Sequence, residues 1–237
     1  MQTQPRGRSL IQWIERQLRL ALPGYCAFCL GEVPPGQAWC APCFASLPWN
    51  QQACRCCGEP LSFASAMPCR ECVDSPPAFT RAHVPLLYQG QVRQLMREFK
   101  FHASPRAGVL LMALFKETLA QCHAEALIPV PLHRKRSRER GFNQSQWLAK
   151  ELHKTWDIPI INAVRKVDTP SQRLFGRMAR RRNLEGVFVM STRLPKRVAI
   201  IDDVLTTGAT AHALALAAKE AGVEQVDVYA LARTPRR

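Results

Sequence analysis

No stretch of this chain is both uncharged and long enough to cross a bilayer, so a protein built on spanning helices is excluded. Acidic residues are scarce. Only 18 Asp and Glu stand against 33 Lys and Arg, and the resulting formal charge of +15 asks for an anionic partner. Cysteine is nearly missing from the last two-thirds of the chain, where Cys122 stands alone, whereas nine of the ten cysteines lie between Cys26 and Cys72. That distribution describes a small cysteine module attached to a larger α/β domain, and 237 residues suffice for both.

The segment Ser9 to Ala21 does not read as a signal peptide, because Glu15, Arg16 and Arg19 interrupt its apolar stretch and no small-residue cleavage site follows. A cytoplasmic protein is therefore expected. Residues 1–22 read instead as an amphipathic helix with Leu10, Trp13, Ile14 and Leu18 on its apolar side. Such a helix docks onto its own protein or, through its arginines, contacts a membrane surface.

Residues 23–76 hold four C-x-x-C pairs in succession: Cys26/Cys29, Cys40/Cys43, Cys54/Cys57 and Cys69/Cys72. A two-residue spacer lets both sulfurs of a pair turn toward one metal, and eight thiolates complete two tetrahedral zinc sites. The expectation is two structural Zn2+ ions on a double zinc-ribbon module, with the pairs sharing metals sequentially rather than interleaved. Disulfides are the alternative, disfavoured in a reducing compartment. A redox C-x-x-C would need a thioredoxin-like βαβ unit that is not evident. Cys56 and Cys122 remain over as buried structural thiols.

The remaining residues, 77–237, alternate apolar runs with helical patterns. Val198 to Ile201 suit a strand covered on both faces, and Asp202 and Asp203 then face an open crevice. The turn Thr206-Thr207-Gly208-Ala209-Thr210 leads into a helix expected over Ala211 to Ala221 and stopped by Gly222. Unpaired amides at a helix start attract an anion, and the threonine hydroxyls add hydrogen bonds. An ordinary strand-to-helix turn with N-capping threonines is the plain alternative. A second short strand, Ala126 to Val130, delivers His133, Arg134 and Lys135 toward the same crevice, unless Leu132 to Gly141 is only a solvated charge run. Between Pro131 and Arg182, fourteen Lys or Arg stand against four Asp or Glu, so most of the excess charge falls here. Phosphates of a small ligand explain part of it; a nucleic-acid surface, such as one for single-stranded DNA, explains the rest.

The strand, acid pair and Thr-Gly-Thr loop resemble the signature of the type I phosphoribosyltransferases. That resemblance implies a mostly parallel sheet with helices on both faces, preceded by the zinc-ribbon module. It also implies that Asp202 and Asp203 hold ribose hydroxyls of phosphoribosyl pyrophosphate, while Thr206, Thr207, Gly208, Ala209 and Thr210 hold its 5-phosphate. Arg134 and Lys135 would meet the pyrophosphate, with Mg2+ bridging diphosphate and ribose oxygens. The segment Lys166 to Leu184 would be a lid bringing Gln172, Arg177 or Arg180 to the leaving group; a surface loop for nucleic acid fits its composition equally. Many purine-salvage members carry Asp at the position of Thr206, where it handles a proton of the base. Threonine cannot, so the acceptor of any transfer is left open.

The pattern Pro129-Val-Pro-Leu-His-Arg followed by Arg140-Gly-Phe-Asn-Gln144 narrows the resemblance to the ComF or GntX-type proteins. The four cysteine pairs agree with it, as do Tyr88-x-Gly90 with Phe99-Lys-Phe101, and Thr169-x-x-Gln172 with Arg180-x-x-Asn183. The family association implies a role in uptake or utilisation of extracellular DNA. Three forms of that role stay open: a Mg-dependent transferase, a non-catalytic sensor of phosphoribosyl pyrophosphate or nucleotide, and a single-stranded-DNA-binding accessory that meets DNA-uptake proteins. Oligomeric state is open as well.

Overall fold

The computed structural model describes residues 24–65, 67–119, 122–132, 141–165, 186–190 and 193–236. The helix expected over residues 1–22 lies outside them, as do His133, Arg134, Lys135, Gln172, Arg177 and Arg180. The chain forms two compact units, Met1–Leu47 and Pro48–Arg237. The cut falls inside the stretch 23–76 expected from sequence to be one module, so the third and fourth cysteine pairs belong to the larger unit.

In the smaller unit, β1 (Gly24–Tyr25) and β2 (Glu32–Val33) make an antiparallel ribbon. The turn between them is closed by Cys26 N donating to Gly31 O at 2.8 Å and Leu30 N donating to Cys26 O at 3.0 Å. These bonds fold Cys26 and Cys29 onto a tight knuckle. Cys40 stands at the head of α1 (Ala41–Ala45), a single turn that carries Cys43. Trp39 stacks on Phe44 with ring centroids 5.6 Å apart, giving this small unit an apolar contact beside its cysteines.

The larger unit opens on a second knuckle, in which Gly58 N donates to Cys54 O at 2.7 Å and Cys54 N to Glu59 O at 2.8 Å. Gly58 has φ +67°, and a Cβ there would lie 2.9 Å from Val84 Cγ2. Both observations require glycine. α2 (Arg70–Asp74) then brings Cys72 back to the knuckle. Next come β3 (Arg81–His83), β4 (Leu86–Leu87), α3 (Gly90–Phe101) and α4 (Pro105–Lys116), the last capped by Ser104, whose hydroxyl accepts from Ala107 N. They lead to β5 (Ala126–Pro129), α5 (Gln144–Trp156), the antiparallel pair β6 (Ala163–Arg165) and β7 (Phe188–Met190), β8 (Arg197–Leu205), α6 (Ala209–Glu220) and β9 (Gln225–Arg233).

The central sheet runs β3-β9-β8-β5, with β4 also against β9, and every pairing in it is parallel. Strands β5 and β9 and the first part of β8 are buried on both faces, which is why Val198 to Ile201 and Val228 to Leu231 lack the alternation of a half-exposed strand. Ile128, Ile200 and Val228 pack on one face with Ala211, Leu214 and Ala218 of α6. On the other face α5 lies against β5 and β8, and Trp156 meets Tyr229 edge-on at 5.3 Å. Each fully buried Leu, Ile or Val contributes about 1.5–3 kcal/mol. The alanines of α6 add less burial each but let the helix approach the sheet closely. The mostly parallel α/β sheet with helices on both faces, expected from sequence, is the architecture observed.

Register creates the functional edge. β5 pairs with β8 from Ala126 opposite Val198 to Pro129 opposite Ile201, and there it stops. β9 continues beside β8 as far as Leu205 opposite Arg233. Past Ile201, β8 therefore has a strand partner on one side only, and the other side opens as the crevice in which parallel α/β sheets bind ligands.

Candidate functional site

The acid pair sits in that crevice, still inside the strand. The strand expected over Val198 to Ile201 extends in fact from Arg197 to Leu205, because pairing with β9 carries it past both carboxylates. Asp202 Oδ1 accepts from Ser145 Oγ at 3.2 Å and from Asp203 N at 2.9 Å. Asp203 Oδ1 accepts from Val204 N at 2.6 Å and lies 3.1 Å from Lys100 Nζ. The Lys100 and Asp203 side chains are only 12% and 13% exposed, so this ion pair is weakly screened. Lys100 also lies 5.9 Å from the centroid of the Tyr88 ring, within cation–π range.

Burial, together with the neighbouring Asp203 charge, pushes the Asp202 carboxyl up to about 7, against the lowering pull of the Asp203 amide, Lys100 and Ser145. The two adjacent carboxylates form a set of acceptors suited to vicinal hydroxyls, with the Lys100 ammonium beside Asp203 as a donor.

After Leu205 the chain turns at Gly208, whose φ of +74° places it in the left-handed region at the N-cap of α6. The helix thus starts at Ala209, two residues earlier than expected. Thr207 Oγ1 accepts from Ala209 N at 3.4 Å, a local capping bond that fits the plain reading of this turn as well as an anion site. The first amides of α6 have no partner within the helix and point out of its N-terminus. Thr206 to Thr210 and the acid pair thus occupy one strand end and its following loop. Arg134, Lys135, Gln172 and Arg180 lie outside the described residues. The segment carrying Gln172 and Arg180 is bracketed by the antiparallel β6–β7 ribbon.

Ser145, Lys100 and Arg233 escaped the sequence reading. Ser145 follows Asn143, which caps α5 by accepting from Gln146 N and donates its own Nδ2 to Val130 O at 3.0 Å. Asn143 therefore ties the helix start to the end of β5 and aims Ser145 into the crevice. Lys100 stood in the Phe99-Lys-Phe101 motif without an assigned role. Phe99 is buried and makes edge contacts with Trp147 at 5.1 Å and Phe142 at 5.3 Å. Arg233, buried at the end of β9, donates from Nη1 to the carbonyls of Leu205, at 2.7 Å, and of Thr206.

The cysteines gather as two separate groups, Cys26, Cys29, Cys40 and Cys43 in one and Cys54, Cys57, Cys69 and Cys72 in the other, each with all sulfurs within 4.8 Å of one another. The sequential pairing is the one formed. Cys29 and Cys40 sulfurs are 3.8 Å apart and those of Cys57 and Cys69 3.7 Å apart. A tetrahedron of Zn–S bonds near 2.3 Å has edges of about 3.8 Å. Both groups fit structural zinc with no position left open. Burial opposes ionisation of Cys26, but backbone hydrogen bonds from Cys29, Cys40 and Phe28 outweigh it and bring the thiol to about 6. In the second group hydrogen bonding, first from Cys72, draws Cys57 down to about 5, with the Arg233 charge assisting. Their partners move the other way, Cys43 pushed up to about 12 by its hydrogen bond with Cys40, Cys72 raised by its hydrogen bond with Cys57 and Cys69 raised by burial, so in each group one thiol is disposed to ionise first.

Comparison with known proteins places both cysteine groups in one ribbon module, as expected for residues 23–76. Residues 17–73 match the family model described as a double zinc ribbon domain. The chain is 33% identical over 193 residues to competence protein F of Haemophilus influenzae, covering 76% of this chain and 84% of that protein. It is 31% identical over 229 residues to the DNA utilization protein YhgH of Escherichia coli O157:H7, covering 91% of this chain and 99% of that protein. Competence protein ComFC of Bacillus subtilis is 26% identical over 184 residues, or 71% of this chain and 72% of its own. A solved purine phosphoribosyltransferase from Pyrococcus horikoshii overlays 54% of this chain and 80% of its own at 19% identity with a TM-score of 0.31, too partial an overlay to argue from. On the strength of the near full-length relatives, the chain belongs to the family of competence protein F and the DNA utilization protein YhgH.

Proposed function

We propose that the crevice at the end of β8 binds the ribose 5-phosphate part of phosphoribosyl pyrophosphate or of a nucleotide, and that the protein serves DNA uptake or utilisation through that site. The observation that carries the reading is the placement of Asp202 and Asp203 where β5 has ended, followed at once by the Gly208 turn and the N-terminus of α6. Carboxylates at this edge suit sugar hydroxyls; amides at the helix start suit a phosphate. Relatives named for competence and DNA utilisation support the cellular role. The cluster of positive charge between Pro131 and Arg182 supports a polyphosphate or single-stranded DNA as the anion.

With Asp202 ionised, the acid pair also fits a hydrated Mg2+ that arrives with the ligand, since Lys100 then offsets only one of its two charges. When bound, that ion would neutralise diphosphate oxygens. The protein groups act independently of it: Asp202 and Asp203 orient the sugar, and Thr207 and Thr210 offer hydroxyls to the 5-phosphate. Arg134, Lys135, Gln172 and Arg180 are assigned to the diphosphate end as part of the same proposal. Thr206 supplies no carboxylate for a base, so a purine-salvage reaction is disfavoured against transfer to another acceptor or binding without transfer. Thiolate-rich metal sites suit a reducing compartment, and we place the protein in the cytoplasm.

The test is growth on DNA as carbon source. An Asp202→Asn/Asp203→Asn strain should fail to grow, although removing two negative charges favours DNA binding. Normal growth of that strain, with failure of one in which Arg180, Arg181 and Arg182 are neutralised and single-strand binding is lost, would transfer the function to the basic surface.

A further inference from the structure

Glu59 is nearly buried and follows the metal-binding knuckle directly, with its carbonyl accepting from Cys54 N at 2.8 Å. Its carboxylate does not point to solvent. Oε2 lies 2.6 Å from Nη2 of Arg233, a side chain only 1% exposed, and Oε1 accepts from Arg236 N at 2.8 Å. Arg236 in turn reaches Cys57 Sγ at 3.8 Å and pairs with Glu71, which precedes Cys72. The opposite side of the Arg233 guanidinium donates to the carbonyls of Leu205 and Thr206, and Thr234 N donates to Leu205 O at 3.1 Å. A continuous set of hydrogen bonds therefore runs from the second four-cysteine group, through Glu59 and Arg233, to the first residue of the Thr206–Thr210 loop.

The planar guanidinium suits this task, because its two Nη groups face different partners in a fixed geometry. Lysine would hold one end only. A buried arginine with no carboxylate would be an uncompensated charge, so Arg233 keeps its place only while Glu59 keeps its own.

We propose that Glu59 and Arg233 are positioning residues that couple the second four-cysteine site to the phosphate loop, so that metal at that site sets the loop's geometry and its affinity for a 5-phosphate. This rests on the reading of Thr206–Thr210 as a phosphate loop. It assigns the second ribbon a part in ligand binding.

The test compares full-length wild type, Glu59→Ala and Glu59→Gln by zinc content, amide hydrogen exchange and titration with ribose 5-phosphate and with inorganic pyrophosphate. Glu59→Ala should keep its zinc and the slow exchange of β5 and β9, yet exchange faster across residues 206–210. It should bind ribose 5-phosphate about 10-fold more weakly, the equivalent of roughly one hydrogen bond lost from the loop. Pyrophosphate, which lacks the 5-phosphate, should bind as to wild type. Glu59→Gln keeps an acceptor for Arg233 but not the compensating charge, so its affinity should fall between those of Glu59→Ala and wild type; it carries the comparison if the alanine variant does not fold. Unchanged loop exchange in a zinc-replete variant, or faster exchange spread evenly over the whole sheet, overturns the proposal. If wild type binds no ribose 5-phosphate, the phosphoribosyl reading fails, and the exchange pattern still decides whether Glu59 holds the loop.

Discussion

At the residue scale, Asp202 is the group whose surroundings make the clearest demand. Its carboxyl is raised to about 7 by burial and by Asp203, so the folded protein holds this proton more tightly than the unfolded chain does. Between the ordinary carboxylate range and pH 7 the unfolded state carries fewer protons at this position, and stability without ligand falls as pH rises. Asp202→Asn removes the ionisation. The variant should be more stable than wild type at alkaline pH, by about 1–2 kcal/mol once solvent screening is allowed for, and no more stable well below neutrality. Denaturant unfolding at two pH values checks the sign. Ligand affinity should run the other way and strengthen as pH rises through 7, because hydroxyl groups and a cation both need the charged form. The acid pair was legible in the sequence as two carboxylates after an apolar run. Lys100 and Ser145 were not, since both come from helices more than fifty residues upstream and meet the acids only after folding.

At the scale of elements, the junction of α3 and α4 controls where Lys100 stands. Gly108 on α4 leaves space for Phe99 of α3. A Cβ at residue 108 would lie 2.9 Å from Phe99 Cε2 and 3.2 Å from the Trp147 ring. Gly108→Ala should therefore destabilise the protein by about 1–3 kcal/mol despite alanine's better helix propensity, and thermal unfolding measures it. Because Lys100 adjoins Phe99, the same substitution should weaken ligand binding. Element positions followed the sequence where local signals decide them. β5 runs from Ala126 to Pro129, one residue short of the end expected at Val130, and Gly222 takes φ +94° just beyond α6. The bounds of β8 and α6 departed from expectation for nonlocal reasons: β9 extends the strand through Leu205, and the left-handed Gly208 lets the helix begin at Ala209.

At the scale of the whole molecule, the cysteine spacing was readable because each pair turns its two sulfurs together within four residues, on a knuckle for Cys26/Cys29 and Cys54/Cys57 and at a helix start for Cys40/Cys43 and Cys69/Cys72. The division at Leu47 and Pro48 was not, since it depends on the packing of the second cysteine group onto the sheet through Gly58 and Val84. Metal analysis of protein prepared under reducing conditions should find about two zinc ions per chain. Chelation should unfold the small unit, whose described residues bury few apolar side chains besides Cys26, Val33 and Leu47, as a loss of protected amides over residues 24–47.

The most direct test of the phosphoribosyl site is calorimetric titration of phosphoribosyl pyrophosphate into wild type and the Asp202→Asn/Asp203→Asn variant, both shown to be folded and zinc-replete. Each charge-assisted hydrogen bond lost costs about 1.5–3 kcal/mol, so two or more such losses amount to at least a hundredfold in affinity. The account predicts saturable binding to wild type and none measurable to the variant. Equal affinity of the two proteins would contradict it.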